Sequence, residues 1–174
     1  MHPMPTYPDD LIKSVLRSTK VLAMVGASGN EMRPSYFAMK YLLDKGFKVI
    51  PVNPGMAGKE ILGQTVHASL KDISAPVDMV DIFRAADAAP GIVREALGEK
   101  DRLGIKTIWM QLGIVNEEAA AMAREAGLTV VMDRCPKIEY GRLSGEISWL
   151  GVNRRTIDNR KPLLFSKGGA LRRI

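Results

Sequence analysis

The sequence predicts an α/β fold, a single Rossmann-like domain built on a doubly wound parallel sheet. Strand-like and helix-like segments alternate along residues 20–135, and no internal repeat or linker interrupts them. The strands are nearly continuous runs of Val, Ile, Leu and Met, which is typical of parallel strands covered on both faces. A chain of 174 residues is also long enough to bury one proper core.

The first half of the chain is predicted to contain two helices and two strands. The segment YPDDLIKSVLRSTK has the period of an amphipathic helix, and VLAMV at 21–25 is the first strand. Pro34 opens the helix SYFAMKYLLDK, and Gly46 stands just beyond its end. The second strand, FKVIPV, stops at the turn signal Asn53-Pro54-Gly55. The apolar face of the first helix is expected to consist of Leu11, Val15 and Leu16.

The second half repeats the alternation. A weak short strand at 64–67 and a helical turn near 69–73 come first, followed by the strand VDMVDIF at 77–83. The helix AAPGIVREALGEKDRLG ends at Gly104. IKTIWMQ and LTVVM are the last two strands, and Asn116 caps the helix EEAAAMAREAG between them. Beyond Cys135 the period is lost, although IEYGRLSGEISWLG is compatible with one further helix.

The fold predicts where a ligand binds. In a doubly wound sheet the ligand sits beyond the carboxyl ends of the strands, near the switch in strand order. The candidate functional residues are therefore those directly after each strand, namely Gly26–Ser28, Asn53–Gly55, Phe83–Arg84, Gln111–Gly113 and Asp133–Cys135.

The loop after the first strand has the features of a phosphate-binding turn. Gly26 allows a sharp turn and Ser28 offers a hydroxyl. The helix that begins at Pro34 and Ser35 directs its free amides toward the same space, and Arg33 adds a full positive charge. We therefore predict that the loop binds a phosphate or pyrophosphate, although many α/β domains use such a glycine simply to turn the chain.

NAD is the first alternative ligand, and two features argue against it. The fingerprint GxGxxG is incomplete, because Ser28 and Glu31 stand where glycines are required. The second strand ends in Asn53-Pro54-Gly55, with Lys59 close behind, rather than in the acid that binds ribose hydroxyls. Neutral and basic groups at that corner favour an additional phosphate. An NAD(P)-dependent oxidoreductase is kept as an alternative function.

Other catalytic patterns are absent from the sequence. GASGN is not GxSxG, and with only His2 and His67 no Ser-His-acid set is convincing. There is no GxxxxGK[ST] phosphate loop. The lack of HExxH and CxxC argues against a zinc site.

The remaining strand ends are interpreted as walls of the site. Phe83 and Arg84 present a ring and a guanidinium plane that suit a purine, but a core phenylalanine beside a surface arginine explains the pair equally well. The run Gln111, Leu112 and Gly113 offers amide hydrogen bonds and a close backbone approach, which suit a thin polar chain.

Two acids and one thiol receive no chemical role. Asp78 and Asp81 fall on opposite faces of one strand, so they are not interpreted as an acid–base pair. Cys135 is a candidate reactive thiol, but a single cysteine after a strand is more often an inert packed residue.

The charge of the chain is concentrated at its end. The net charge is +6, yet outside residues 154–174 the basic and acidic residues are equal in number. A basic tail of this kind can contact nucleic acid or anionic membrane, but with Phe165 alone it lacks the interleaved aromatics of a single-strand binder. We interpret it as a solvated, partly disordered end.

The absence of a signal peptide, of any long apolar run and of a second cysteine predicts a cytoplasmic protein.

Taken together, the motifs resemble a known family. The chain is similar to the small single-domain CoA-binding proteins in three stretches, which follow one another in the order VGASGNEMRPSYFAMKYLLDKGFKVIPVNPG, VDIF and IWMQLGIVNEEAAAMAREAGLTVVMDRCP. That family is similar to the CoA-binding domain of the succinyl-CoA synthetase alpha subunit. The resemblance covers about residues 8–150, and the combination of GAS, RPS, VNP, QLG and DRCP is more specific than any single piece.

The resemblance implies coenzyme A as the ligand and assigns its parts. The pyrophosphate would lie on Ala27, Ser28 and the helix start at Pro34. The 3′-phosphoadenosine would lie toward Asn53, Pro54, Phe83 and Arg84, and pantetheine would run past Gln111, Leu112 and Gly113. The lysine of the synthetase's second-strand turn is replaced here by Met56, with Lys59 further on. The synthetase's phosphorylated histidine belongs to a second domain and is not carried over.

The sequence therefore predicts a cytoplasmic protein that binds CoA or an acyl-CoA and has no catalytic machinery of its own. Residues 1–150 are expected to form the CoA-binding domain, with a short N-terminal helix, and 151–174 a basic tail. A second alternative is a nucleic-acid-associated module acting through that tail, which we disfavour. No membrane contact is expected. The sequence leaves open whether the chain forms a homodimer or binds a partner protein.

Overall fold

The computed structural model describes residues 4–144, in which helices and strands alternate. The strands are β1 (Val21–Val25), β2 (Lys48–Val52), β3 (Glu60–Ile61), β4 (Gln64–Thr65), β5 (Met79–Ile82), β6 (Thr107–Met110) and β7 (Thr129–Val131). The helices are α1 (Asp9–Ser18), α2 (Pro34–Asp44), α3 (Ala89–Leu103), α4 (Glu117–Glu125) and α5 (Pro136–Leu143). Single 3₁₀ turns cover Pro54–Met56, Leu70–Asp72 and Ala86–Ala88.

Five strands pair in parallel in the order β2-β1-β5-β6-β7. The chain first moves outward from β1 to β2, then returns to the other side of β1 and continues through β5, β6 and β7. The strand order thus reverses between β1 and β5, and all five carboxyl ends meet at one edge. This confirms the predicted Rossmann-like sheet and places its switch point beside the loops after β1 and β5.

The sheet is buried on both faces by helices. On one face, side chains such as Val80, Ile82 and Ile108 form a core cluster with buried residues of α3 and α4. On the other face, Met24 and Trp109 form a second cluster with buried residues of α1, α2 and α5. Continuous apolar strands are therefore explained by two covered faces.

The helix ends follow the signals in the sequence. Gly46 and Gly104 have φ values of +92° and +79° just beyond α2 and α3. Asn116 caps α4, because its Oδ1 accepts a hydrogen bond from the N–H of Ala119 at 2.9 Å.

The prediction was wrong in one detail of α1, whose buried side chains are Ile12, Val15 and Leu16. Leu11 is only half-buried.

Two short elements differ from the sequence prediction. The weak strand expected at 64–67 is reduced to β4, which pairs antiparallel with the unpredicted β3. Leu62 and Gly63 join them with φ values of +48° and +76°, as in a tight hairpin turn. His67 forms an isolated parallel bridge with Val52. Two-residue strands carry too little periodicity to be recognised.

The described part of the chain stops within the last predicted helix. Helix α5 begins earlier than expected, at Pro136, directly after Cys135. The rest of that predicted helix and the basic tail at 151–174 lie outside the described residues, so the domain boundary at 150 stays a prediction. No helix within residues 4–144 is long and apolar enough to cross a membrane.

Candidate functional site

A cavity of about 590 Å³ opens at the carboxyl edge of the sheet, among the loops after β1, β5 and β6 and the start of α2. This is the switch point of the strand order, where the fold predicts a ligand. The lining residues are Gly26, Ser28, Arg33, Pro34, Ser35, Phe83, Arg84, Gln111, Leu112 and Ile114. All except Ile114 were predicted from the sequence. Ile114 was missed because it lies four positions beyond β6.

Gly26 lets the chain turn away from β1 without blocking the neighbouring strand. Its φ is +92°, in the left-handed region, and its N–H donates to the carbonyl oxygen of Val52 at 2.9 Å. A Cβ at this position would lie 2.8 Å from the carbonyl oxygen of Phe83 and 2.9 Å from Cδ of Arg84. Glycine is required here by both the backbone conformation and the close approach of the β5 loop.

The loop between Gly26 and α2 is held in place by its own hydrogen bonds. The N–H of Ser28 donates to Oγ of Ser35 at 3.2 Å, and Ser28 Oγ accepts from the N–H of Asn30 at 3.1 Å. Asn30 Oδ1 accepts from the N–H of Met32 at 2.9 Å. Because Ser28 Oγ acts only as an acceptor in these bonds, its hydroxyl hydrogen remains free to donate to a ligand.

The cavity is electropositive. The first N–H groups of α2 have no acceptor within the helix and carry the positive end of its dipole. Arg33, at the N-cap of α2, and Arg84 both line the cavity. Neither arginine forms an ion pair with any residue of the described range 4–144. No acid of residues 4–144 lines the cavity, so the arrangement suits a ligand with two or more negative charges.

The opposite wall combines apolar surface with an amide. Phe83 is half-buried against the core cluster that contains Met24 and Trp109. Gln111 is only 7% exposed, whereas Leu112 beside it is 52% exposed. A ligand that extends from the arginines across this wall meets a ring, an amide and an aliphatic side chain in turn.

Five predicted site residues do not line the cavity: Ala27, Asn53, Pro54, Lys59 and Gly113. Asn53 instead supports the glycine loop, because its Nδ2 donates to the carbonyl oxygen of Ala27 at 2.9 Å. Its Oδ1 accepts from the N–H of Gly55 at 2.9 Å and so caps the 3₁₀ turn that Pro54 opens. Ala27 is fully buried, and Lys59 lies in the exposed turn before β3.

The backbone of Gly113 is hydrogen-bonded to the loop that follows the neighbouring strand β7. Its N–H donates to Oδ1 of Asp133 at 2.7 Å, and the N–H of Asp133 donates to the carbonyl oxygen of Ile114 at 3.2 Å. Asp133 has a φ of +56°, which is uncommon for a residue other than glycine. These bonds join the loops after β6 and β7, and the amide of Gly113 is therefore occupied rather than free for a ligand.

The sequence profile of a family described as "CoA binding domain" matches residues 20–141, well over half of the chain. The chain belongs to this family. The resemblance on which the sequence prediction depended is thereby confirmed, and the matched residues include every one that lines the cavity.

Relatives of this CoA-binding-family chain support the same fold. It is 41% identical over 129 residues to the uncharacterised protein YneT of Bacillus subtilis, covering 74% of this chain and 91% of YneT. A solved structure of a hypothetical protein from Pyrococcus horikoshii has a TM-score of 0.74 at 36% identity, covering 82% of this chain and 96% of that one. A dinucleotide-forming acetyl-coenzyme A synthetase of Candidatus Korarchaeum cryptofilum has a TM-score of 0.54 at 23% identity, covering 66% and 27% respectively, and shows the fold alone.

Asp81, on β5, and Gln111, just beyond the adjacent strand β6, carry buried oxygen atoms without a hydrogen-bond partner among residues 4–144. Asp81 is fully buried in the central strand β5, and neither of its carboxyl oxygens has a hydrogen-bond partner among the described residues. Gln111 Oε1 is likewise buried without a partner there. Burial raises the pKa of Asp81 well above its ordinary value of 3.8. The signal in the sequence was an acid inside the apolar run VDMVDIF.

Asp78 and Cys135 lie outside the cavity. Asp78 Oδ2 accepts hydrogen bonds from the N–H groups of Lys20 and Val21 at 2.9 and 3.0 Å, so it ties β1 to β5. Cys135 is 6% exposed, precedes α5 and does not line the cavity. Its carbonyl oxygen accepts from the N–H of Glu139 at 2.9 Å, within the first turn of that helix.

Proposed function

We propose that this protein binds coenzyme A or an acyl-CoA in the cavity at the carboxyl edge of its sheet. The observation that carries the proposal is the convergence of the α2 N-terminus, Arg33 and Arg84 on one cavity, which no acid of the described residues lines. Membership of the CoA-binding domain family supports coenzyme A over other polyanions of similar charge.

The phosphates explain the positive end of the cavity. The pyrophosphate would accept hydrogen bonds from Ser28 and from the first N–H groups of α2, beginning at Ser35, because Pro34 has no N–H. Arg33 and Arg84 have no competing carboxylate within the described residues, so both guanidinium groups are available to phosphate oxygens. Charge-assisted bonds of this kind contribute about 1.5–3 kcal/mol each.

The remaining parts of the ligand follow the wall of the cavity. Adenine would stack on Phe83, and the 3′-phosphate would lie within reach of Arg84. Asn53, Pro54 and Lys59 stay candidates for the outer edge of the adenosine, although they do not line the cavity. The pantetheine arm would pass Gln111 and Leu112, where the cavity turns from charged to apolar.

The proposed role is binding, and the absence of catalytic machinery stays a prediction. No feature of the described residues favours an NAD(P)-dependent oxidoreductase, since β2 is followed by Asn53 rather than by the acid that binds ribose hydroxyls. The nucleic-acid alternative depends on a tail outside the described residues.

Native mass spectrometry of freshly purified full-length protein tests the proposal directly. We expect a bound mass that equals CoA or an acyl-CoA and is released on denaturation. Protein purified without ligand is then mixed with CoA, and a one-to-one complex is expected. A retained mass that matches NAD or NADP, or no complex with CoA, would contradict the proposal.

A further inference from the structure

We propose that Asp81, in its neutral form, donates a hydrogen bond to Gln111 and so turns the Gln111 amide NH₂ toward the cavity, where it binds a carbonyl oxygen of the ligand's amide arm. The inference rests on the proposed function and extends it. It assigns a positioning residue and the chemical group of the ligand that the inner wall recognises.

The two residues lie on one face of adjacent strands. Asp81 pairs with Trp109 in the register of β5 and β6, and Gln111 follows Trp109 by two residues. The N–H of Gln111 donates to the carbonyl oxygen of Ile82 at 3.2 Å, so the ladder continues to this position. Side chains two apart along a strand point to the same face. Diagonal neighbours of this kind have Cα atoms about 7–8 Å apart, which a glutamine side chain can span.

The face in question packs into the core cluster that contains Met24 and Trp109, the two residues that pair with Asp81 in the sheet. Three buried oxygens, both of Asp81 and Oε1 of Gln111, have no partner among residues 4–144. All three are acceptors while Asp81 is ionised, and burying an unpaired charge is far more costly than burying a neutral group. One proton on Asp81 converts an acceptor into a donor. Oε1 of Gln111 is a suitable partner because it is buried on the same face.

This arrangement would fix the orientation of the Gln111 amide. An amide can present either its oxygen or its NH₂ group to a ligand, and the two ends look alike in shape. With Oε1 directed inward to Asp81, the NH₂ group faces the cavity that Gln111 lines. It then offers donors only. A carbonyl oxygen, such as those of the two amides in the pantetheine arm, is the matching group.

The alternative role for Asp81 is purely structural, and it makes different predictions. A buried carboxyl without partners weakens the fold, and replacing it with an apolar residue of strand-forming type relieves that cost. If Asp81 served only the fold, an Asp81→Val variant would keep its ligand affinity. If Asp81 positions Gln111, the same variant loses affinity while its fold is kept.

Calorimetric titration of the full-length protein and its variants distinguishes the two roles. Two probes are used: CoA, and adenosine 3′,5′-bisphosphate, which carries phosphates and adenine but no amide arm. Asp81→Asn keeps an N–H donor at this position, so we expect its Kd for CoA to stay within about threefold of wild type. Asp81→Val has no donor, and we expect a Kd for CoA about tenfold weaker, the effect of losing one net hydrogen bond. Both variants should bind the bisphosphate as wild type does.

Gln111→Met tests the same pair from the other side. It removes the amide but keeps a chain of similar length, so it should weaken CoA by a similar factor and leave the bisphosphate unaffected. Asp81→Val added to Gln111→Met should then produce no further loss. If Asp81→Val does not fold, Asp81→Ala, which also lacks a hydrogen-bond donor, takes its place in both comparisons.

The failures of the two proposals are distinguishable. Wild-type protein that binds no CoA overturns the proposed function, and this inference with it. Wild-type protein that binds CoA while Asp81→Val binds it equally well overturns the inference alone. Equal weakening of CoA and the bisphosphate by Asp81→Val also overturns it, because the damage is then general.

Discussion

The carbonyl oxygen of Phe83 lies so close to Gly26 that a single added carbon would be 2.8 Å from it. The two residues follow β1 and β5, the strands between which the order of the sheet reverses. The close approach brings the glycine loop, with Ser28, against the loop that carries Arg84. The end of the cavity that carries Ser28 and Arg84 therefore depends on the absence of a side chain at Gly26.

Gly26→Ala should destabilise the protein and disturb the cavity. The left-handed φ of +92° costs a residue with Cβ about 1–2 kcal/mol, and the backbone of Phe83 must also move. We expect a lower free energy of unfolding in urea and weaker CoA binding. Gly98→Ala is the matched control, because Gly98 lies in α3 with no atom near the added carbon. It should raise stability by about 0.4–1 kcal/mol, and a Gly26→Ala variant as stable as this control would refute the argument.

The choice of ligand is tested by thermal shift. A ligand at about a hundred times its Kd adds roughly 2.7 kcal/mol to stability, so binding appears as a clear rise in Tm. We expect CoA and acetyl-CoA to raise the Tm, and NAD and NADP to do so weakly or not at all. Dephospho-CoA should be weaker than CoA if Arg84 or Lys59 meets the 3′-phosphate. A rise with NAD or NADP but not with CoA would show that the loop at Gly26 holds a dinucleotide.

Arg33→Ala should weaken CoA binding by about 1.5–3 kcal/mol if Arg33 makes a charge-assisted bond to the pyrophosphate. The loss should be largest at low ionic strength, since the side chain is exposed in the free protein. Arg94→Ala serves as the control, because Arg94 lies on α3 and pairs with Glu118 at 3.4 Å outside the cavity. Calorimetric titration of both variants gives the comparison, and equal affinities would remove Arg33 from the site.

The residues that meet in the cavity could be predicted because topology alone brings them together. Gly26, Arg84 and Gln111 are distant in sequence, yet each follows a strand of one parallel sheet, and parallel strands share their carboxyl edge. The alternation of apolar strands with capped helices was enough to recognise that sheet.

The predicted site residues that do not line the cavity make contacts that a sequence pattern does not reveal. Asn53 looked like a ligand contact, but its amide is used on the carbonyl oxygen of Ala27. Gly113 looked open, but its N–H is taken by Asp133 from the next loop. Asp81 was not assigned to the site, because the sequence indicates a strand buried on both faces but not which polar groups surround the carboxyl. Only the packing of helices over the sheet decides that.

Cys135 gives a prediction about oxidised coenzyme A. It follows β7, the neighbour of β6, so the thiol of a bound CoA arm running past Gln111 would end near it. A mixed disulfide with CoA would then form under oxidising conditions, as the Cys135 thiolate attacks the CoA disulfide and one CoA thiolate leaves. Intact mass after incubation with oxidised CoA measures the adduct. The buried side chain argues for slow reaction, and native protein that stays unmodified while denatured protein reacts would count against the idea.

The last prediction concerns how the free energy of unfolding depends on pH. Asp81 should be the main contributor between its pKa in the unfolded chain and its pKa in the folded protein. Burial raises the pKa of Asp81 in the folded protein above the 3.8 of an ordinary aspartate. Between those two values the folded state holds a proton that the unfolded chain has released. The free energy of unfolding therefore falls as pH rises through this window, by up to about 1.4 kcal/mol per pH unit, and levels off above the folded-state pKa.

Asp81→Asn removes the titrating group and keeps the shape of the side chain, so the variant should lose this part of the pH dependence. Urea unfolding of wild type and variant from pH 4 upward gives the difference in unfolding free energy at each pH. We expect the variant to gain on wild type as pH rises, because only wild type must either keep a proton or bury a charge. A difference that stays constant across the range would mean that Asp81 ionises as an ordinary aspartate does, with a partner that stabilises its charge.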